Sequence, residues 1–132
     1  MRSRVLLRLA LVAGVSLSCG GGDGTGTVLP DPGPVSLVLT TPNSSDGALL
    51  LDITGDAITA VQAQGYELAA TPPGTGVRVL VRGNLASGPI ATLIVPDRHK
   101  LGKYTVAVRQ VVARGTYQQL PLSGYVVRLE VP

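Results

Sequence analysis

Val77-Arg78-Val79-Leu80-Val81-Arg82 is the stretch that decides the fold. Three valines alternate with Arg78, Leu80 and Arg82, so one face is fully apolar and the other carries charge. A period of two is the signature of a strand buried on one side. Pro72-Pro-Gly-Thr-Gly precedes it as turn chemistry, and Gly83-Asn84 and Ser87-Gly88 bracket a tight connection after it. Ile90 to Val95 then runs almost wholly apolar, which reads as a central strand buried on both faces.

The same rhythm extends outward in both directions. Val35, Leu37 and Leu39 share a face, with Ser36 and Thr40 opposite. Thr41-Pro-Asn-Ser-Ser-Asp-Gly is a turn, and Gly47 to Thr54 is a strand with Leu49, Leu51 and Ile53 inward and Asp52 outward, broken at Gly55-Asp56. Ala57 to Gln64 reads as an irregular or short strand leading into Tyr66-Glu-Leu-Ala-Ala. Pro96-Asp-Arg-His-Lys is a polar loop, and Tyr104, Val106 and Val108 face inward on the next strand. Gly115 turns the chain, Thr116 to Leu120 pairs briefly, and Tyr125, Val127, Leu129 and Val131 line one face of the last strand. Seven or eight short strands at roughly ten-residue spacing predict an all-β chain, an antiparallel two-sheet β-sandwich over residues 35–132.

Two further segments precede this domain. Arg2, Arg4 and Arg8 make a basic start, and Val5 to Leu17 is an apolar run of 13 residues without an acidic side chain. That is the length of a helical signal peptide and short of the roughly 20 residues a membrane-spanning helix needs. Small Ser18 directly precedes Cys19, the only cysteine. This segment, residues 1–18 and Cys19, resembles a bacterial lipoprotein signal, with Ser16 where that signal prefers leucine. The resemblance implies that Cys19 is diacylated and that the chain is exported and lipid-anchored in the cell envelope. Gly20, in place of the aspartate that marks inner-membrane retention, implies the outer membrane. The alternative is an ordinary secretory signal cut elsewhere, leaving Cys19 a free thiol, which exported chains do not usually keep. Residues 20–34, GGGDGTGTVLPDPGP, follow as a flexible glycine-rich and then stiffer proline-rich tether. Fully extended it reaches about 50 Å.

Loss of the signal removes three of eleven basic residues and no acidic one, leaving eight against eight. A nucleic-acid partner therefore has no electrostatic support. With no second cysteine, no disulfide closes the domain, and its stability rests on an aliphatic core.

The order Gly47-Ala-Leu-Leu-Leu-Asp-Ile, Tyr66-Glu-Leu, Val77-Arg-Val-Leu-Val, Gly88-Pro-Ile-Ala-Thr-Leu-Ile-Val and Gly102-Lys-Tyr-Thr-Val resembles the strand rhythm of cohesin-type sandwiches over residues 35–131. An immunoglobulin-like sandwich is the competing arrangement. Neither resemblance carries over a binding residue, and fold alone does not give function.

Candidate sites are few. His99 is the single histidine, and none of Ser36, Ser44, Ser45, Ser87 or Ser123 sits in a nucleophile elbow. Zinc lacks ligands. Asp46, Asp52, Asp56 and Asp97 do not follow the spacing of a calcium loop, and turn formation and solvation account for them. These observations predict a non-enzymatic chain with no cofactor, metal or evident small-molecule substrate. Its expected role is a membrane-anchored protein-interaction or structural module with an envelope protein partner. The expected contact face is Arg78, Leu80, Arg82 and Arg128, a mixed basic and aliphatic strip. The alternative is a carbohydrate-binding module, for which Tyr66 and Tyr117 are the plausible outward-facing aromatics.

Overall fold

The alternation read from Val77 to Arg82 is realised in a computed structural model, which describes residues 27–132. The signal segment, Cys19 and the glycine-rich part of the tether lie outside the described residues. Eight strands form in chain order: β1 Gly33–Thr40, β2 Asp46–Ile58, β3 Ala60–Ala63, β4 Glu67–Ala70, β5 Gly74–Arg82, β6 Gly88–Val95, β7 Thr105–Ala113 and β8 Val126–Glu130. They build two four-stranded antiparallel sheets, ordered β3-β6-β1-β8 and β4-β5-β2-β7. The chain is a β-sandwich.

The inner faces are those the alternation selects. Leu49, Leu51 and Ile53 of β2 and Val77, Val79 and Val81 of β5 meet Val35, Leu37 and Leu39 of β1 and Ile90, Leu93 and Val95 of β6 in one core. Core positions are nearly all Leu, Ile or Val, with Tyr104 and Tyr125 at its two ends. Branched side chains fit a pleated, half-buried surface, and stacking two such faces removes both from water.

Four local readings are corrected. Gly55-Asp56 does not end the second strand. β2 continues to Ile58 through an irregularity in its pairing with β5, and Thr59 N–H then bonds to Ile94 O in the opposite sheet. Gly55 makes this possible with φ +119, a conformation side chains resist. β6 is a central strand, but only one side of it, Ala91, Leu93 and Val95 with Ile90 at the irregular pairing to β1, points into the sandwich core, while Thr92 and Ile94 are partly exposed. A two-layer sandwich leaves the outer side of every strand open. Pro96 to Lys100 is not simply a loop, because Arg98–Lys103 forms a short 3₁₀ helix capped by Asp97, whose carboxylate accepts His99 N–H. Finally, Val131, expected on the inner face of the last strand, lies beyond β8 and is 49% exposed. In β7, Val106 and Val108 face inward as their spacing requires, opposite Ile53 and Leu51 and packed against the core. The register against β2 shifts between Leu50 and Leu51, and beyond that shift Val111 and Ala113 are buried as well.

Register fixes which loops share an end. Gly33 pairs with Val95 at the start of β1, and Thr40 pairs with Val126 at its finish. One pole therefore carries the tether, the 3₁₀ helix and the bulge at Gly55. The other carries the 40–46, 63–67, 82–88 and 113–125 connections. Eight residues of β1 separate the poles by roughly 25 Å.

Candidate functional site

The expected contact strip is divided by the fold. Arg78, Leu80 and Arg82 project together from the outer side of β5, but Arg128 lies on β8 in the other sheet, bonded to Glu130 and Thr40. The β5 arginines are also neutralised from within. Arg78 grips Asp52 through Nε (2.7 Å) and Nη2 (3.1 Å), directly across the β2–β5 register, and Arg109 Nε of β7 reaches the same carboxylate at 2.9 Å. The Arg78 hydrogen bond, then that from Arg109, holds Asp52 below the usual carboxylate range against the opposing effect of its partial burial. Four residues further along β5, Arg82 is bonded to Glu67 of β4. The strip is thus a cross-strand ladder of ion pairs on a sheet face.

At the tether pole the chain clasps its own incoming segment. The Asp31 carboxylate accepts two bonds from Arg98, Nε to Oδ2 at 2.9 Å and Nη2 to Oδ1 at 3.0 Å. Arg98 N–H donates to Asp31 O, and Asp31 N–H to Asp97 Oδ1. The Arg98 guanidinium keeps the Asp31 carboxyl below its ordinary range, and the backbone N–H of His99 does so for Asp97. His99 Nδ1 stands 3.2 Å from Asp97, so the sole histidine belongs to this clasp. Ser44, Ser45, Ser87 and Ser123 all lie in loops of the opposite pole, away from it. Tyr104 completes this end by donating its hydroxyl to Ala57 O at 2.6 Å. Burial raises its pKa.

The opposite pole is built on a buried carboxylate. Asp46 is fully enclosed, accepting the Tyr125 hydroxyl at Oδ1 (2.6 Å) and the Thr41 hydroxyl at Oδ2. Asn43 Nδ2 in turn donates to the Tyr125 oxygen at 2.7 Å. Burial first, and then its bond to Asp46, push the Tyr125 phenol up. Around this anchor the neighbouring backbone becomes a hub. Asp46 O accepts Leu85 N–H, Gly47 O accepts Gly83 N–H, and Ser45 O accepts Arg114 N–H at 2.7 Å. Gly47 must lack a side chain, because a Cβ there would stand 2.8 Å from the Arg114 Cα.

That hub holds two turns apart, and between them opens a groove of about 720 Å³, within the size range of ligand sites. Tyr66 and Tyr117 line it from opposite turns, with Glu67, Arg82, Asn84 and Arg114 supplying polar groups. Gly83 lets the Tyr66 ring lie against the main chain, since a Cβ there would meet Tyr66 Cδ1 at 2.9 Å. Tyr117 is 81% exposed and adopts φ 56, the one described non-glycine residue in that region. Of the residues selected from sequence, Tyr66, Tyr117 and Arg82 are therefore brought together, whereas Arg78, Leu80 and Arg128 stand elsewhere. Arg114, Asn84 and Glu67 were not selected; Arg114 sits beside the turn glycine Gly115, the only local signal it carries.

The four aspartates do not gather. Asp46 is inside the distal pole, Asp52 on the outer face, Asp56 bonded to the Ala57 N–H and Asp97 in the clasp. No group of three or more metal-ligating side chains occurs among the described residues. Compared with known protein families, curated proteins and solved structures, the chain matches none.

Proposed function

We propose that this chain is a lipid-anchored envelope protein without catalytic chemistry, a display module whose working surface is the pole away from its anchor. The observation that carries the reading is the clasp of Asp31 by Arg98, which joins the tether to one pole while the groove opens at the other. Acyl chains on Cys19 would hold it at the membrane, the glycine- and proline-rich segment would set its reach, and the sandwich would present the groove outward.

Two classes of partner were expected, an envelope protein on the arginine strip or a carbohydrate on the tyrosines. The ion-pair ladder of Arg78, Arg109 and Asp52 supports a self-contained sheet face, because its charges already have partners. The meeting of Tyr66 and Tyr117 in one groove favours the carbohydrate. Fractionation tests the anchor: wild type is expected in the membrane pellet and Cys19→Ala in the soluble fraction. Retention of Cys19→Ala in the pellet contradicts the proposal.

A further inference from the structure

Resting on that reading, we propose that the distal groove binds an acidic oligosaccharide, with sugar rings laid on Tyr66 and Tyr117 and the anionic group held by Arg114. Three observations converge on it.

The first is charge. Arg78, Arg82, Arg98, Arg109 and Arg128 each form an ion pair with a carboxylate of this chain. Arg114 is the one described arginine without such a partner, and it lines the groove. A guanidinium offers a planar fork of donors that fits a carboxylate or phosphate with two bonds at once. Among the described residues, the one arginine left without a carboxylate stands here.

The second is the cost of Tyr117. Its backbone sits where glycine or asparagine is the ordinary choice, and its large ring is left in water. Its N–H closes a turn onto Ala113 O, which a glycine would do without strain. Neither the core nor the turn gains from a tyrosine there. Strain and an exposed aromatic in one residue point to a ligand that covers the ring.

The third is complementarity. The C–H face of a sugar ring is weakly positive and apolar, and the negative face of a phenol ring receives it. Tyr66, fixed against Gly83, supplies a rigid platform, and Tyr117 an exposed one on the facing turn. Glu67, Arg82 and Asn84 add donors and acceptors along the wall for sugar hydroxyls. The groove is open rather than closed over, which suits one stretch of a longer chain.

The test is calorimetric titration of the mature, acylated protein in detergent micelles with four hexasaccharides. These are oligogalacturonate, its methyl ester, a phosphorylated oligomannose and the same oligomannose without phosphate. Binding of either acidic form at least tenfold tighter than its neutral counterpart is expected, and the two acidic arms separate uronate from phosphate recognition. Arg114→Gln is expected to abolish that preference, and Tyr117→Gly to weaken all binding at least tenfold without lowering the thermal midpoint. Arg78→Gln, on the outer sheet face, is expected to change nothing. Absence of binding, equal binding of acidic and neutral sugars, or an unchanged preference in Arg114→Gln overturns the proposal. So does specific cross-linking of an envelope protein through position 117 in place of sugar. In each of those cases the display reading stands if Cys19→Ala is still released from membranes; if it is not released, that reading falls separately.

Discussion

The two poles of the sandwich solve the same problem, how to end eight strands, in opposite ways. At the tether pole every prominent polar group turns inward onto its own chain: Asp31 onto Arg98, Asp97 onto Asp31 and His99, Tyr104 onto Ala57. At the distal pole the polar groups that turn inward, Asp46, Tyr125, Thr41 and Asn43, lie below the surface as a foundation. What stands on that foundation, Tyr117 and Arg114 above all, faces outward without a side-chain hydrogen bond or ion pair among the described residues. The difference separates residues that hold the molecule together from residues left for something else.

The largest break in this comparison falls at the tether pole. Gly55→Ala places a methyl group onto the Lys103 carbonyl in a backbone conformation hostile to side chains. It is expected to cost about 3 kcal/mol or more in urea unfolding. Next comes the distal foundation. Tyr125→Phe deletes the hydroxyl that serves the buried Asp46, at an expected cost of about 2 kcal/mol. By loosening Ser45 to Gly47 it should also weaken saccharide binding severalfold, measurable in the same titration. Tyr117→Gly has the opposite sign, a gain of about 1 kcal/mol in thermal unfolding from relief of the left-handed backbone.

The smallest effect is acid-dependent and confined to the clasp. Asp31 and Asp97 are held below their ordinary values when folded, so the stability they contribute is complete above about pH 4, the unfolded carboxylate range. It is lost as pH falls through their lower folded values. Hydrogen exchange is expected to show protection of the Arg98 amide at pH 6, reduced in Arg98→Gln, with the difference between the two proteins vanishing in strong acid.

The core was legible from the chain because alternation is a local signal. Leu49, Leu51, Ile53, Val77, Val79 and Val81 all face inward as their spacing requires. What alternation lacks is a record of which sheet a strand joins, so Arg128 was grouped with Arg78 and Arg82 across two sheets. Nor does it register a shift of one residue: the irregular pairing in β7 keeps Val106 and Val108 inward and adds Val111 and Ala113 to the buried side. Gly55 reads as a breaker in sequence, yet its free φ is what carries β2 onward. Asp46 reads as a turn former, while the phenol that buries it comes 79 residues later. Tyr117 stands outward as expected, whereas Tyr66, expected to do the same, packs partly against the core. Arg114 carries no such signal, since an arginine without a partner is recognisable only after the other described arginines have found one.

The most direct measurement of the central claim is heteronuclear NMR of the mature chain in micelles during titration with oligogalacturonate. The account predicts amide shifts confined to residues 65–67, 82–84 and 113–117, with the clasp at 31 and 97–104 undisturbed. Shifts centred on the clasp, or none at millimolar ligand, would contradict it.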